Sequence, residues 1–237
     1  MKEKQIYKRA DEILGPFLQE HGFEIRQSGE YLRRVEGGED RIAVGIGPPS
    51  KAATHFAVFM SYYPDYLNIL ATLHPKAAKN EEKGFPCGPY LTPVGATRNP
   101  KYWSHRTPEA LDRSLAHVLE CLKNAGLPWL ETLRDPVVFA ENIDPVAALG
   151  AAIAHEVAGN LEKAREFYEE MWRRLTIVRG MATEKKFLEE SGRQFIFVAT
   201  KLGKEPEKCA EYKEKLGFYP QIEPLGGNRD VGKVSRL

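Results

Sequence analysis

The sequence is poor in cysteine, in net charge and in long apolar runs, and each shortage excludes a class of protein. Three cysteines lie far apart among 237 residues, which argues against a disulfide framework and predicts a reducing compartment. Thirty-four basic residues face thirty-three acidic ones, so the formal net charge is +1 and the chain as a whole offers no field that attracts nucleic acid. No apolar run reaches the length of a membrane span, and the charged start MKEKQIYKRADEIL lacks the apolar centre of a signal peptide. We therefore expect a cytoplasmic protein without a membrane partner.

The composition is that of a folded globular protein. Hydrophobic residues make up 42% of the chain and charged residues 28%. A chain of 237 residues is long enough for two domains, each with its own core.

The first third predicts a helix followed by an antiparallel meander. Apolar residues at helical spacing predict an amphipathic helix over 3–21, which Gly22 follows. Four runs rich in β-branched and aromatic residues come next, FEIRQ, YLRRVE, RIAVGIG and HFAVFMSYY, and short turn segments separate them. We expect one face of this sheet to pack on helices while Arg26, Arg33 and Glu36 stay in water.

The stretch GIGPPSK at 45–51 is interpreted as a hairpin connection and not as a phosphate loop. A phosphate loop leads from a strand into a helix whose first amides bind the anion. Here Pro48 and Pro49 lack amide donors, and a strand pattern follows.

The segment 64–106 contains six prolines and predicts a long irregular connection, with room for a short helix at DYLNILATL. Long connections often carry binding sites. Exposed aromatic and arginine side chains dominate protein contacts, although aromatic residues also pin loops to a sheet. The candidate binding surface consists of Tyr62, Tyr63, Tyr66, Tyr90, Tyr102, Trp103, His105 and Arg106.

The second half of the chain is predicted to be helical. A helix starts at Thr107-Pro108-Glu109 and ends at Gly126. After Asp144-Pro145, helical hairpins follow, with a third helix over 184–202 and a fourth over 206–216. LEKAREFYEEM and PEKCAEYKEKL repeat one pattern, and GNLEKAREFY resembles part of a tetratricopeptide repeat.

The predicted fold class is therefore α+β, an antiparallel meander sheet packed by helices and followed by an all-α helical-hairpin module. We assign residues 1–135 to the sheet domain, 136–217 to the helical-hairpin module and 218–237 to a flexible tail.

The layout of residues 5 to 140 resembles a bacterial family known as domain of unknown function 4304. The resemblance rests on Gly22 and Phe23 after the first helix and on the later run Leu127, Pro128, Trp129 and Leu130. It implies no established activity. By analogy, some small bacterial proteins of this layout look like antidotes to toxins of neighbouring cells.

Three groups of potentially reactive residues fall short of a complete site. His155-Glu156 lacks the second histidine of a zinc-protease helix and predicts a polar surface position. His117 and Cys121 share a helix face but are too few for zinc, so we expect a solvent-side histidine beside a partly buried cysteine. Cys87 would need a neighbouring base, for which His74 or His105 is conceivable. No cofactor and no metal are predicted.

Three functional hypotheses follow. The first is a non-catalytic protein-binding protein, of an immunity or accessory kind, whose partner is another protein. The second is a small-molecule enzyme with a site between the sheet and the 64–106 connection, using groups such as His105, Arg106, Tyr62 or Cys87. The third is nucleic-acid binding through a basic patch on the meander, for which the near-neutral charge is unfavourable. That patch would comprise Arg26, Arg33, Arg34, Arg41 and Lys51.

Overall fold

The computed structural model describes residues 2–46, 54–73, 90–97, 101–143, 147–204 and 206–226. The chain forms two compact units, one of Met1–Asp65 and Cys87–Asp135 and the other of Tyr66–Pro86 and Pro136–Leu237. The second unit thus includes a segment that the sequence analysis assigned to the domain 1–135.

The first unit contains a helix, a sheet and a second helical segment. Its elements are α1 (Glu3–Glu20), β1 (Glu24–Gln27), β2 (Glu30–Val35), β3 (Gly38–Ile46), β4 (His55–Pro64), β5 (Tyr90–Thr92), β6 (Gly95–Thr97), β7 (Trp103–Ser104), α3 (Pro108–Cys121), a π-helical turn (Leu122–Gly126) and α4 (Leu127–Thr132). Together with the helices of the second unit they confirm the α+β fold class.

The described residues form a seven-stranded antiparallel sheet. Its strands lie in the order β1 to β6, and β7 pairs with the start of β4 beside them. The meander β1–β4 follows the predicted runs, with β3 and β4 paired from Gly38 opposite Pro64 to Ile46 opposite Phe56. Because a strand follows residues 45–51, the context of a phosphate loop is missing; residues 47–53 themselves lie outside the described residues.

The short helix expected at DYLNILATL is confirmed, as a 3₁₀ turn (Asp65–Asn68) followed by α2 (Ile69–Leu73). The prediction that the rest of 64–106 is an irregular connection is wrong where β5, β6 and β7 add three strands to the sheet. These strands are only two or three residues long, which is too short for alternation of apolar and polar residues to reveal them.

The prediction that a helix ends at Gly126 is also wrong. Gly126 has right-handed helical angles, and the chain continues through the π-helical turn into α4. A Cβ atom at Gly126 would lie 2.8 Å from Met60 Sδ and 2.9 Å from Leu91 Cδ1. This glycine is therefore needed for close approach of the helix to the sheet and not for termination.

The second unit is helical in its described residues. It contains α2, α5 (Pro136–Asn142), α6 (Ala148–Val157), α7 (Leu161–Met181), α8 (Glu184–Leu202) and α9 (Lys208–Leu216). Consecutive helices from α5 to α9 pack on each other, and α2 packs on α8. Thr183 and Asn160 cap α8 and α7, each accepting a backbone N–H in the first turn.

The described part of the predicted tail, 218–226, has no regular structure, yet part of it packs on the unit. Leu225 is buried and its backbone N–H donates to the Lys201 carbonyl at 2.8 Å. Residues 227–237 lie outside the described residues. No helix among the residues that the structure describes is long and apolar enough to cross a bilayer.

Candidate functional site

Three of the eight residues of the predicted binding surface, Tyr62, Trp103 and His105, are buried, so the set as predicted is not one exposed surface. Tyr66 belongs to the second unit, where its ring contacts Phe139 edge to face at 6.1 Å. The other seven belong to the first unit. Tyr62 is buried near the end of β4 and donates to the Gly37 carbonyl at 3.1 Å. Tyr63 beside it is half-buried, and burial raises its pKa to about 12.

Trp103 and His105 lie at the other end of β4. Trp103 is buried, pairs with Phe56 across the strands and donates through Nε1 to His117 Nδ1 at 3.3 Å. The His105 backbone N–H donates to Thr54, while neither of its ring nitrogens has a hydrogen-bond partner among the described residues. Burial lowers the pKa of His105 below its ordinary value.

Two residues of the set, Tyr102 and Arg106, are exposed, and Arg106 Nε donates to Thr54 Oγ1 at 3.3 Å. Tyr90 lies in β5 opposite Phe59. Along an extended strand, the six-residue step from Phe56 to Tyr62 spans about 20 Å. The groups named for an enzyme site, Tyr62 and His105, are therefore not brought into one pocket, and Cys87 and His74 lie outside the described residues.

A polar cluster that the sequence analysis missed lies on the sheet. Asp40 of β3 is fully buried, and its Oδ2 accepts from Arg33 Nε at 2.9 Å and from Arg33 Nη2 at 2.7 Å. Arg33 Nη2 also donates to Glu131 Oε1 at 2.9 Å, and Arg134 bonds to the same carboxylate. Burial raises the pKa of Asp40 above its ordinary value, although Arg33 and Arg134 act in the opposite direction.

This cluster corrects the expectation that Arg33 stays in water, because its side chain is only 13% exposed. Its guanidinium also donates to the His21 carbonyl and lies 4.6 Å from the centre of the Phe23 ring. Arg33 thus fixes the segment after α1 to the sheet. Among the described residues, the contacts of Arg33 are to carboxylates, a carbonyl and a ring, which is the pattern of an ion-pair network.

A shallow groove adjoins Arg33. It is lined by Phe17, His21, Arg33, Lys123, Leu127, Pro128 and Glu131. Its charged groups already have partners, because Lys123 pairs with Glu120 at 3.3 Å and lies over the Phe17 ring. The titratable His21 of this groove has its Nδ1 2.9 Å from the Phe17 carbonyl oxygen, within its own helix turn.

The basic patch proposed for nucleic acid is largely neutralised. Arg34 pairs with Asp65 at 2.9 Å, and Arg41 with Glu30 at 3.4 Å. Together with the Arg33 pairs, these contacts use three of the five positive charges, and Lys51 lies outside the described residues.

The expectation that His155 and Glu156 lie on a helix surface is wrong. Both are buried, and His155 stacks on Phe167 at 5.5 Å. Glu156 Oε1 accepts from Lys201 Nζ at 2.7 Å, and Oε2 accepts from the Tyr168 hydroxyl at 2.8 Å. This triad joins α6, α7 and α8 through side chains that are almost withdrawn from solvent.

His117 is exposed as expected, whereas Cys121 is buried more fully than expected. Burial raises the pKa of the Cys121 thiol, which disfavours a reactive thiolate. Within the described ranges, no three His, Cys, Asp or Glu side chains are grouped as metal ligands. The absence of a cofactor and of a metal remains a prediction.

An exposed apolar group occurs at the end of α7. Ten large apolar side chains are exposed among the described residues, and three of them, Ile177, Val178 and Met181, fall within five consecutive positions. Arg173 and Arg174 lie one turn earlier, with side chains 71% and 52% exposed. We call these five residues the α7 end surface.

The helix geometry places this surface away from the core. With about 100° of rotation per residue, Ile177 lies opposite buried Tyr168 and Leu175. Ile177 and Met181 are one turn apart and therefore share the solvent side. The sequence signal was available, since both residues fall out of phase with the buried stripe that Ala164, Tyr168 and Leu175 define.

Comparison of the chain with protein-family models, curated proteins and solved structures finds no match. The resemblance to domain of unknown function 4304 therefore stays a prediction.

Proposed function

We propose that the chain is a non-catalytic protein-binding protein, of an immunity or accessory kind, that acts in the cytoplasm and contacts its partner through the α7 end surface. The observation that carries this proposal is the exposure of Ile177, at 61%, and Met181, at 85%, side by side on one helix face.

Physical chemistry supports a contact role for such a group. Single exposed apolar residues are common on any protein, whereas contiguous ones are typical of interaction sites. Burying apolar area in a complex contributes about 25 cal/mol per Å². Methionine suits this role because its flexible, polarisable side chain adapts to the shape of a partner.

The two alternatives have less support. The enzyme hypothesis needs convergence of acid–base groups, yet Tyr62 and His105 lie at opposite ends of β4. The nucleic-acid hypothesis needs free positive charge on the meander, yet Arg33, Arg34 and Arg41 pair with carboxylates.

Affinity capture from a bacterial lysate tests the proposal. The tagged full chain is compared with the double variant Ile177→Ser/Met181→Ser and with Leu161→Ser, a matched control at an exposed apolar position in the first turn of the same helix. We expect the wild type and the control to retain the same protein, and the double variant to retain about tenfold less of it.

Two results would overturn the proposal. One is retention of no protein above the bare matrix by the wild type. The other is turnover of a small molecule by the purified chain. Equal capture by the double variant would refute the α7 end surface as the contact site while leaving protein binding in place.

A further inference from the structure

Positive charge concentrates around the α7 end surface. Residues 171–186 contain five basic side chains and one acidic one, whereas the whole chain carries a formal charge of +1. The acidic residue, Glu184, already pairs with Lys215 and Lys208. Lys185 and Lys186, in the first turn of α8, are exposed and make no ion pair with a described residue.

The basic and apolar side chains share one helix face. Arg173, Ile177 and Met181 follow at intervals of four residues, and Arg174 and Val178 form a second row beside them. The longer row extends about 12 Å along the helix axis, which equals about two turns of a facing helix.

The arginines of this face already bind a carboxylate. Arg173 and Arg174 both pair with Glu170, with Arg174 Nε 2.8 Å from Glu170 Oε1. Glu170 is thus shared by two guanidinium groups, and each planar guanidinium has further N–H donors that can bind another carboxylate. A partner that places acids beside apolar residues would therefore find both kinds of complement on this face.

Resting on the proposed function, we infer that the α7 end surface with Lys185 and Lys186 binds an acidic amphipathic helix of a partner protein. The apolar side of that helix covers Ile177, Val178 and Met181, and its flanking carboxylates pair with the arginines and lysines. Recognition through residues one turn apart is the usual mode for an amphipathic helix on an apolar face.

A bilayer surface fits the same charge less well. Helices that lie in the membrane interface insert bulky Trp, Phe or Leu side chains, and the α7 end surface has none of these. The rest of α7 packs on α6 and α8, so a long apolar face is not available for insertion.

Peptide binding to the full chain tests the inference by fluorescence anisotropy. The probe is a helical peptide of about 15 residues with Leu at i and i+4 and Glu on both flanks. It carries a hydrocarbon staple because an isolated helix of about this length is only marginally stable in water. A peptide with Lys in place of Glu and a peptide of scrambled order serve as controls. Vesicles of phosphatidylserine and of phosphatidylcholine form the lipid arm.

We expect the Glu peptide to bind at least about tenfold more tightly than either control peptide, and to weaken when salt rises from about 50 to 300 mM. Arg173→Glu/Arg174→Glu and Lys185→Glu/Lys186→Glu should each weaken binding about tenfold. Arg165→Glu, an exposed position on another side of α7, should leave it unchanged. The Lys185→Glu/Lys186→Glu variant should fold normally, because acidic side chains are favourable in the first turn of a helix, so weaker binding by it is not explained by misfolding.

Equal binding of the Glu and Lys peptides, no binding of any peptide, or a preference for phosphatidylserine vesicles would overturn the inference. The lysate capture separates this failure from failure of the proposed function. If a protein is still captured by the Arg173→Glu/Arg174→Glu variant, protein binding stands and the acidic helix is rejected. If the wild type captures nothing, the function itself is rejected.

Discussion

Both units bury a carboxylate, and they compensate its charge differently. Asp40 in the sheet unit is held through one oxygen by Arg33, which is itself shared with Glu131 near the surface. Glu156 in the helical unit uses both oxygens, one for Lys201 and one for Tyr168. The sheet unit therefore spreads its charge over a network, whereas in the helical unit Lys201 contacts the buried carboxylate directly.

The two units also differ in how the charged side chains on their surfaces are paired. On the meander, Arg33, Arg34 and Arg41 are all paired with acids. At the turn between α7 and α8, Lys185 and Lys186 pair with no acid of the described ranges, and Ile177 and Met181 are exposed. Among the described residues, neighbouring exposed apolar side chains therefore occur at the end of α7, whereas Tyr62 and Trp103 of the aromatic set are buried.

We expect the greatest loss of stability when Lys201 is replaced. Lys201→Met should lower the free energy of unfolding by about 3–5 kcal/mol, because it removes the cation that contacts the buried carboxylate of Glu156. Arg134→Met, beside the networked Asp40, should cost about 1 kcal/mol or less since Arg33 remains. Urea unfolding followed by circular dichroism measures both. Equal losses of unfolding free energy in the two variants would contradict this difference between the surroundings of Glu156 and of Asp40.

Two helical glycines should respond with opposite signs to the same change. Gly126→Ala should destabilise the sheet unit by about 1–3 kcal/mol, because the new methyl group would overlap Met60 and Leu91. Gly180→Ala in α7 should stabilise the helical unit by about 0.5–1 kcal/mol, because alanine favours the helix and the added Cβ would meet no described atom within 4 Å apart from its chain neighbours and the adjacent helix backbone. Thermal unfolding of the two variants tests this pair. A stabilised Gly126→Ala chain would show that the helix does not need to approach the sheet closely.

A buried histidine in each unit predicts a loss of stability in acid. Burial lowers the pKa of both His105 and His155 in the folded chain. Below about pH 6.5 these histidines are therefore protonated in the unfolded chain but still neutral in the folded chain. Each of them then lowers the free energy of unfolding by up to about 1.4 kcal/mol for every pH unit of acidification. His105→Asn and His155→Asn should each reduce the slope of unfolding free energy against pH between about 6.5 and 5. An unchanged slope in both variants would mean that neither histidine is protected from protonation.

Much of the fold could be predicted from local patterns. The α1 stripe, the four meander runs and α8 at Glu184–Leu202 all carry strong periodicity with a cap or a glycine at an end. The strands β5 to β7 could not be predicted, because residues distant in sequence stabilise them. Trp103, for example, pairs with Phe56.

Local sequence patterns also could not predict all of the buried polar residues. Asp40 follows two glycines and a glutamate, which is typical of an exposed turn, and only the folded sheet places Arg33 and Arg134 beside it. Glu156 offered more of a signal. It ends the run VAALGAAIAHE, which has no other charged residue, so α6 could have been recognised as buried on all sides and in need of a cation such as Lys201.

Site-specific photo-crosslinking compares the two candidate contact surfaces, the α7 end surface and the aromatic set, in one experiment. A photo-reactive phenylalanine analogue replaces Ile177 on the α7 end surface in one full-length chain and Tyr102, an exposed member of the aromatic set, in another. Both chains are irradiated in bacterial cells. We expect a protein adduct from position 177 and none from position 102. An adduct from position 102 alone, or from neither position, would contradict this expectation.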